Sequence, residues 1–192
     1  MSDSVTKANS GRKLLLLDLD ETLVYAAREP LTGRAPDFYV GPYSVYKRPH
    51  LSAFLDACFA WFDVAVWTAS SPVYAAEVVA AVFPDPQALM FVWASDRCTM
   101  VYEPETGAYY TCKNLVKLRR KRRHPLGAII AVDDTPQKWE RSYGNLVRVC
   151  PFEGDPSDEE LPRLAAYLNE LRRVPNVRAV EKRNWRHCPV YK

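Results

Sequence analysis

Short apolar runs that each stop at a polar residue or a turn set the first limit on how this chain can fold. They cover residues 14–17, 64–67, 90–93, 128–132 and 146–149, the last interrupted only by Arg148. Runs of four or five residues are too short for buried helices and suit strands. Apolar on every residue rather than on alternate ones, they suit strands covered on both faces, as in a parallel sheet. Helical patterns lie between them. Residues 49–61 open with Pro49 and put Leu51, Phe54, Leu55 and Phe59 on one stripe, and 72–83 again open with a proline. Residues 113–121 form a basic amphipathic stretch. A further helix is expected after Thr135-Pro136, and a last one over 157–173, entered through Ser157-Asp158-Glu159-Glu160. Strands alternating with helices predict an α/β fold, a parallel sheet flanked by helices through right-handed crossovers. A chain of 192 residues with 48% hydrophobic content fits one domain with a substantial core.

Two segments break the alternation. Residues 25–47 are rich in Tyr, Pro and Gly. Residues 97–112 read as a β-hairpin turning at Glu105-Thr106-Gly107. Both are expected to form loops or small sheets over a site. Residues 1–11 are polar and read as a disordered leader, leaving 12–192 as a single domain with a β insertion at about 94–112 and no large cap. A formal charge of +3 argues for neither nucleic acid nor membrane as a general partner. The five cysteines form no C-x-x-C pair. Cys58 and Cys150 read as small core residues, so a reducing compartment is expected. With no apolar signal core at the N-terminus, the protein reads as soluble and intracellular, cytoplasmic or nuclear.

Chemistry-bearing residues collect at the ends of the apolar runs. Asp18-Leu19-Asp20-Glu21-Thr22 follows the first, where an open parallel sheet binds its ligands. Two aspartates two residues apart can serve one reacting centre, one attacking phosphorus and the other giving a proton to the leaving oxygen. The same string would also suit a turn whose carboxylates cap the next element. The second run ends Trp67-Thr68-Ala69-Ser70-Ser71-Pro72, which offers a phosphate site at a helix N-terminus or a plain N-cap. Asp133-Asp134 ends the fourth run with hard oxygen ligands suited to Mg²⁺. Lys113, between the hairpin and the next helix, is a candidate to neutralise a phosphoryl group, unless it is an ordinary surface lysine.

Taken together, Asp18-Leu19-Asp20-Glu21-Thr22-Leu23-Val24, Lys47-Arg48-Pro49-His50, Thr68-Ala69-Ser70, Lys113-Asn114-Leu115 and Asp133-Asp134-Thr135-Pro136 resemble the haloacid dehalogenase superfamily. Within it they resemble the branch of RNA polymerase II carboxy-terminal-domain phosphatases and their small, NLI-interacting-factor-like relatives, over about residues 13–180. Phe152-Glu153-Gly154-Asp155 and Val177-Arg178 are similar to that family's closing segment. The resemblance implies a Rossmann-like fold and a Mg²⁺-dependent phosphatase working through an aspartyl-phosphate. Asp18 would be the nucleophile and a metal ligand. Asp20 would be general acid and then base, its main-chain carbonyl also meeting the metal. Thr68, with Ala69 beside it, and Lys113 would hold the phosphoryl oxygens. Asp134 would ligate the metal directly, and Asp133 through water or by orienting the site. Trp67 stands where the family often has Phe, and Asp134 where many small members have Asn.

The substrate is less constrained. Relatives act on phosphoserine in extended, proline-containing peptides, and Tyr25, Tyr39, Tyr43 and Tyr46 either build such a surface or pack their own loop. Tyr25 is the leading substrate candidate. The basic run over residues 117–124 serves nucleic acid or nuclear targeting, or is the basic last turn of a surface helix. Three readings follow. One is a phosphoserine or phosphothreonine protein phosphatase, another a phosphatase for nucleic-acid ends or small metabolites. The third is a non-catalytic binding module, disfavoured because every group the chemistry needs is present.

Overall fold

The computed structural model describes residues 11–121 and 124–187. Most of the leader, Arg122 and Arg123 of the basic run, and Cys188 lie outside the described residues. The main sheet has five parallel strands in the order β10-β9-β1-β5-β6: β1 Leu14–Leu17, β5 Asp63–Trp67, β6 Val92–Trp93, β9 Ile129–Asp133 and β10 Leu146–Arg148. β1 lies at the centre, with Leu17 opposite Val66 on one side and Val132 on the other.

The unbroken apolar runs have their explanation in the two cores. Leu15 and Leu17 face a cluster shared with helices α1 (Leu51–Trp61), α2 (Pro72–Val82) and α4 (Glu160–Leu171). Leu14 and Leu16 face a second cluster, containing Trp67, Trp93, Leu118 and Trp139, under the short helix α3 (Val116–Lys121). All four leucines are essentially inaccessible, and burying each stabilises the fold by about 1.5–3 kcal/mol. The segment before α1 supplies two smaller strands and the loop after β1 a third. β2 (Val24–Ala27), β3 (Phe38–Val40) and β4 (Tyr43–Lys47) form an antiparallel sheet in the order β2-β4-β3. β7 (Thr99–Glu103) and β8 (Ala108–Cys112) make the expected hairpin, whose turn uses Gly107 at φ 69°.

Several expectations need correction. The helix expected over 113–121 is only α3, because Lys113 continues the end of β8 and the Asn114 side chain accepts the N–H of Val116. The segment after Thr135-Pro136 is no α-helix. It is a run of 3₁₀ turns over Pro136–Asn145, broken by non-helical backbone at Trp139 and Ser142. The last helix begins at Glu160 rather than 157, since the Ser157 hydroxyl turns back to Asp155 instead of capping. Cys150 is exposed, not core, because β10 ends at Arg148 and the chain has left the sheet. Among the described residues no helix is long and apolar enough to cross a membrane.

Candidate active site

Three adjacent strands of the parallel sheet release their chains on one side of the molecule, and the chemistry-bearing residues gather there. Asp18 follows β1, Thr68 follows β5, and Asp133 ends β9 with Asp134 next to it. The loop after β1 is wound tightly. The Leu19 carbonyl accepts the N–H groups of Thr22, Leu23 and Val24, and Glu21 takes a left-handed φ of 55°. This winding turns Asp18 and Asp20 toward one open cleft of about 440 Å³, lined also by Tyr43, Thr68, Ala69, Ser70, Tyr74 and Lys138.

Asp18 is buried, and its Oδ1 accepts the N–H of Leu19 at 2.9 Å. Its Oδ2 is met by Lys113 Nζ at 2.9 Å and Lys138 Nζ at 3.1 Å. Burial alone would raise the pKa of this carboxyl, but the two ammonium groups outweigh it and hold the group at about 2. Asp18 is therefore a carboxylate at any ordinary pH. Lys113, fully buried, also donates to Asp133 Oδ2 at 2.5 Å. Asp133 is itself enclosed, accepting the Trp139 indole N–H at 2.8 Å and the Thr135 N–H at 2.9 Å. Burial and the nearby charge of Asp18 push its carboxyl up. Asp134 Oδ2 accepts the Thr135 hydroxyl at 2.8 Å.

Among the described residues, Asp18, Asp133 and Asp134 form a group in which one carboxylate oxygen from each lies within 4.8 Å of the others. Three hard oxygen donors so close together fit a divalent cation, whose charge would relieve their repulsion. Asp20 stands apart from this group. Its carboxylate receives the Ser70 hydroxyl on Oδ2 and the Tyr74 hydroxyl on Oδ1, the latter at 2.5 Å. Burial pushes its pKa up, with a smaller push from Asp18, against the lowering effect of those two hydrogen bonds. Two neighbouring aspartates thus have their affinities for protons driven in opposite directions, a pattern that suits one for attack and the other for proton transfer.

The remaining sequence candidates divide. Thr68 is buried beside the cleft, and its hydroxyl accepts the N–H of Ser70 at 3.1 Å. Ser71, not Ser70, caps α2, so the two serines split the capping and site roles that the sequence left open. Lys113 is buried, not a surface lysine. Tyr25 is not among the residues lining the cleft; it packs 6.4 Å from the Tyr46 ring in the small sheet, and Tyr46 is wholly buried. Tyr43 and Tyr74 are the cleft tyrosines, meeting edge to face at 6.0 Å. Sequence reasoning missed Lys138, Trp139 and Tyr74, and placed Ser70 only within the Thr68-Ala69-Ser70 string. Of these only Tyr74 carried a signal, its place in the first turn of the helix that opens beside the cleft.

Residues 13–178 match the family described as NLI interacting factor-like phosphatase. The chain is 28% identical over 190 residues to CTD nuclear envelope phosphatase 1B of Danio rerio, covering 92% of this chain and 74% of that protein. It is 30% identical over 193 residues to the CTD nuclear envelope phosphatase 1 homolog of Caenorhabditis elegans, covering 93% and 74%. The solved structure of Fcp1, an essential RNA polymerase II CTD phosphatase, superposes with a TM-score of 0.64 at 18% identity. It covers 84% of this chain and 62% of that one, so the likeness is one of fold.

Proposed function

Since the chain belongs to the NLI interacting factor-like phosphatase family, and is thereby a phosphoester hydrolase, we propose that it is a Mg²⁺-dependent protein phosphatase for phosphoserine or phosphothreonine, with Asp18 as covalent nucleophile. The observation that carries the assignment is the placing of Asp18. It sits at the end of the central strand, held by two ammonium groups and lining an open cleft.

In the first half-reaction a carboxylate oxygen of Asp18 forms a bond to phosphorus as the phosphorus–ester oxygen bond breaks. Asp20 gives its proton to that leaving oxygen, a role toward which burial shifts its proton affinity. In the second, Asp20, now ionised, takes a proton from water as the water oxygen attacks phosphorus. Inorganic phosphate departs and Asp18 is restored. Asp18, Asp133 and Asp134 would hold Mg²⁺, which supplies charge neutralisation for the phosphoryl group. Thr68 and Lys113 are proposed to hold phosphoryl oxygens, and Ser70 and Tyr74 to fix the orientation of Asp20.

A protein substrate is favoured over a nucleic-acid end by the cleft itself. Its lining includes Tyr43 and Tyr74 together with the carboxylate of Glu21, and among the lining residues Lys138 is the single cation. A nucleic-acid backbone would call for several. The test has two stages. Hydrolysis of p-nitrophenyl phosphate should vanish with EDTA, return with Mg²⁺, and be absent in Asp18→Asn. A panel of phosphopeptides set against 3′- and 5′-phosphorylated oligonucleotides then separates the substrate classes. Faster turnover of the oligonucleotides would overturn the protein assignment.

A further inference from the structure

Of the two lysines on Asp18, the more buried one is not the one that faces the cleft. Lys113 has no accessible side-chain surface and is absent from the cleft lining, with Asp133 at 2.5 Å and Asp18 at 2.9 Å. Two of its three ammonium protons are therefore committed to carboxylates behind the reacting face. Lys138 is 18% exposed and lines the cleft beside Asp18, Asp20 and Thr68. Its Nζ lies 3.1 Å from Asp18 Oδ2 and 3.7 Å from Asp133 Oδ1, so its shorter contact is with the nucleophile.

We infer that Lys138 is a second phosphate-binding cation of this site, the one that meets the phosphoryl oxygens from the solvent side, while Lys113, which also anchors the carboxylates, reaches them from beneath. The inference rests on the phosphatase reading of the site given above. Three features of the fold support it. The 3₁₀ run carrying Lys138 is pinned to the hairpin end, because the Lys138 carbonyl accepts the Lys113 N–H at 2.7 Å. Both lysines therefore approach Asp18 from one backbone junction. Trp139, next in sequence, is buried with its indole N–H on Asp133, which fixes the direction in which Lys138 leaves the backbone. The ammonium also stands beside the oxygen pair that must accept a doubly charged phosphoryl group, and an oxygen of that group bonded to Asp18 would fall within its reach.

Charge makes the inference separable from a structural role. Lys138 attracts an anion but repels a divalent cation, so removing it should affect the two ligands differently. Inorganic phosphate binding in the presence of Mg²⁺, and Mg²⁺ binding alone, would be measured by calorimetry on the full chain for wild type, Lys138→Met and Lys138→Arg. In Lys138→Met, phosphate affinity is expected to fall about tenfold or more, the range of a charge-assisted hydrogen bond. Mg²⁺ affinity should hold or tighten, and Lys138→Arg should stay nearer to wild type than Lys138→Met. A fall in phosphate affinity of less than about threefold, equal losses in the two variants, or parallel losses of phosphate and Mg²⁺ binding would each overturn the inference. Asp18→Asn, assayed alongside, distinguishes its failure from that of the underlying reading. An active Asp18→Asn refutes the nucleophile, whereas an inactive Asp18→Asn with normal phosphate binding in Lys138→Met refutes Lys138 alone.

Discussion

Replacing Arg48 with methionine should destabilise the whole domain although Arg48 touches no reacting group. Its guanidinium is buried, and four of its five N–H groups donate hydrogen bonds. Nε and Nη2 form a fork on the Asp158 carboxylate, both at 2.8 Å. Nη1 donates to the Thr22 carbonyl and Nη2 to the Cys150 carbonyl, each at 3.0 Å. One side chain thus ties the loop after β1, the segment after β10 and the turn before α4. Methionine fills most of the volume but strands two carbonyls and a carboxylate. At about 1 kcal/mol for each bond to an uncharged carbonyl and about 2 for the fork on the carboxylate, the loss comes to about 4 kcal/mol, reduced to about 3 by rehydration of the part-exposed Asp158. For a domain of this size that lowers Tm by about 6–12 °C. The assay is thermal unfolding followed by far-ultraviolet circular dichroism. The effect should also narrow in acid. Burial opposes ionisation of Asp158, but the Arg48 hydrogen bond and other contacts lower its pKa below the ordinary 3.8. The ion pair therefore stabilises above that value and is lost as pH falls through the lower folded one. A Tm drop under about 2 °C, or a loss unchanged well below pH 3, would refute the reasoning.

Three further outcomes are expected. Asp18→Asn should abolish turnover while giving a wild-type circular dichroism spectrum; residual activity at the wild-type level would remove Asp18 as nucleophile. Tyr74→Phe deletes a hydrogen bond that favours ionised Asp20, so the pKa of Asp20 should rise further. The alkaline limb of the kcat/KM profile, where the general acid is lost, should then move to higher pH, and a shift to lower pH would count against an acid role for Asp20. Gly154→Ala should lower stability by about 1 kcal/mol or more, chiefly through a strained positive φ, with Leu31 forced to shift. Gly154 has φ 93°, and the added Cβ would fall 2.3 Å from Leu31 Cδ1. An unchanged urea midpoint would contradict it.

The parts of the site that were legible in the sequence share one property: they sit where a strand ends. A buried parallel strand announces itself by an unbroken apolar run, so Asp18, Thr68 and Asp133 could be located by the residue at which the run stops. Lys113 and Arg48 were legible only through resemblance, because nothing local distinguishes a buried lysine or arginine from an exposed one. Lys138 carried no signal at all. It lies in a polar segment, Pro136 to Asn145, whose 3₁₀ turns are interrupted twice, so no helical period says which side chains face inward. Trp139, its buried neighbour, shows how misleading that polarity is. Cys150 failed for the opposite reason. The apolar character of 146–149 extends past the last residue that pairs in the sheet, and the chain has turned to solvent by the next position.

The order of the strands has a consequence for how the enzyme would lose activity. Asp18, Thr68 and Asp133 come from β1, β5 and β9, the three innermost strands, while the edge strands β6 and β10 carry none of them. Loosening of either border should leave the proposed reacting groups in register, because β9 and β5 each stay paired with β1. Amide hydrogens of residues 14–17 should therefore exchange with deuterium only through complete opening of the chain. Inactivation and global melting should coincide, with no dead but still folded state on the way.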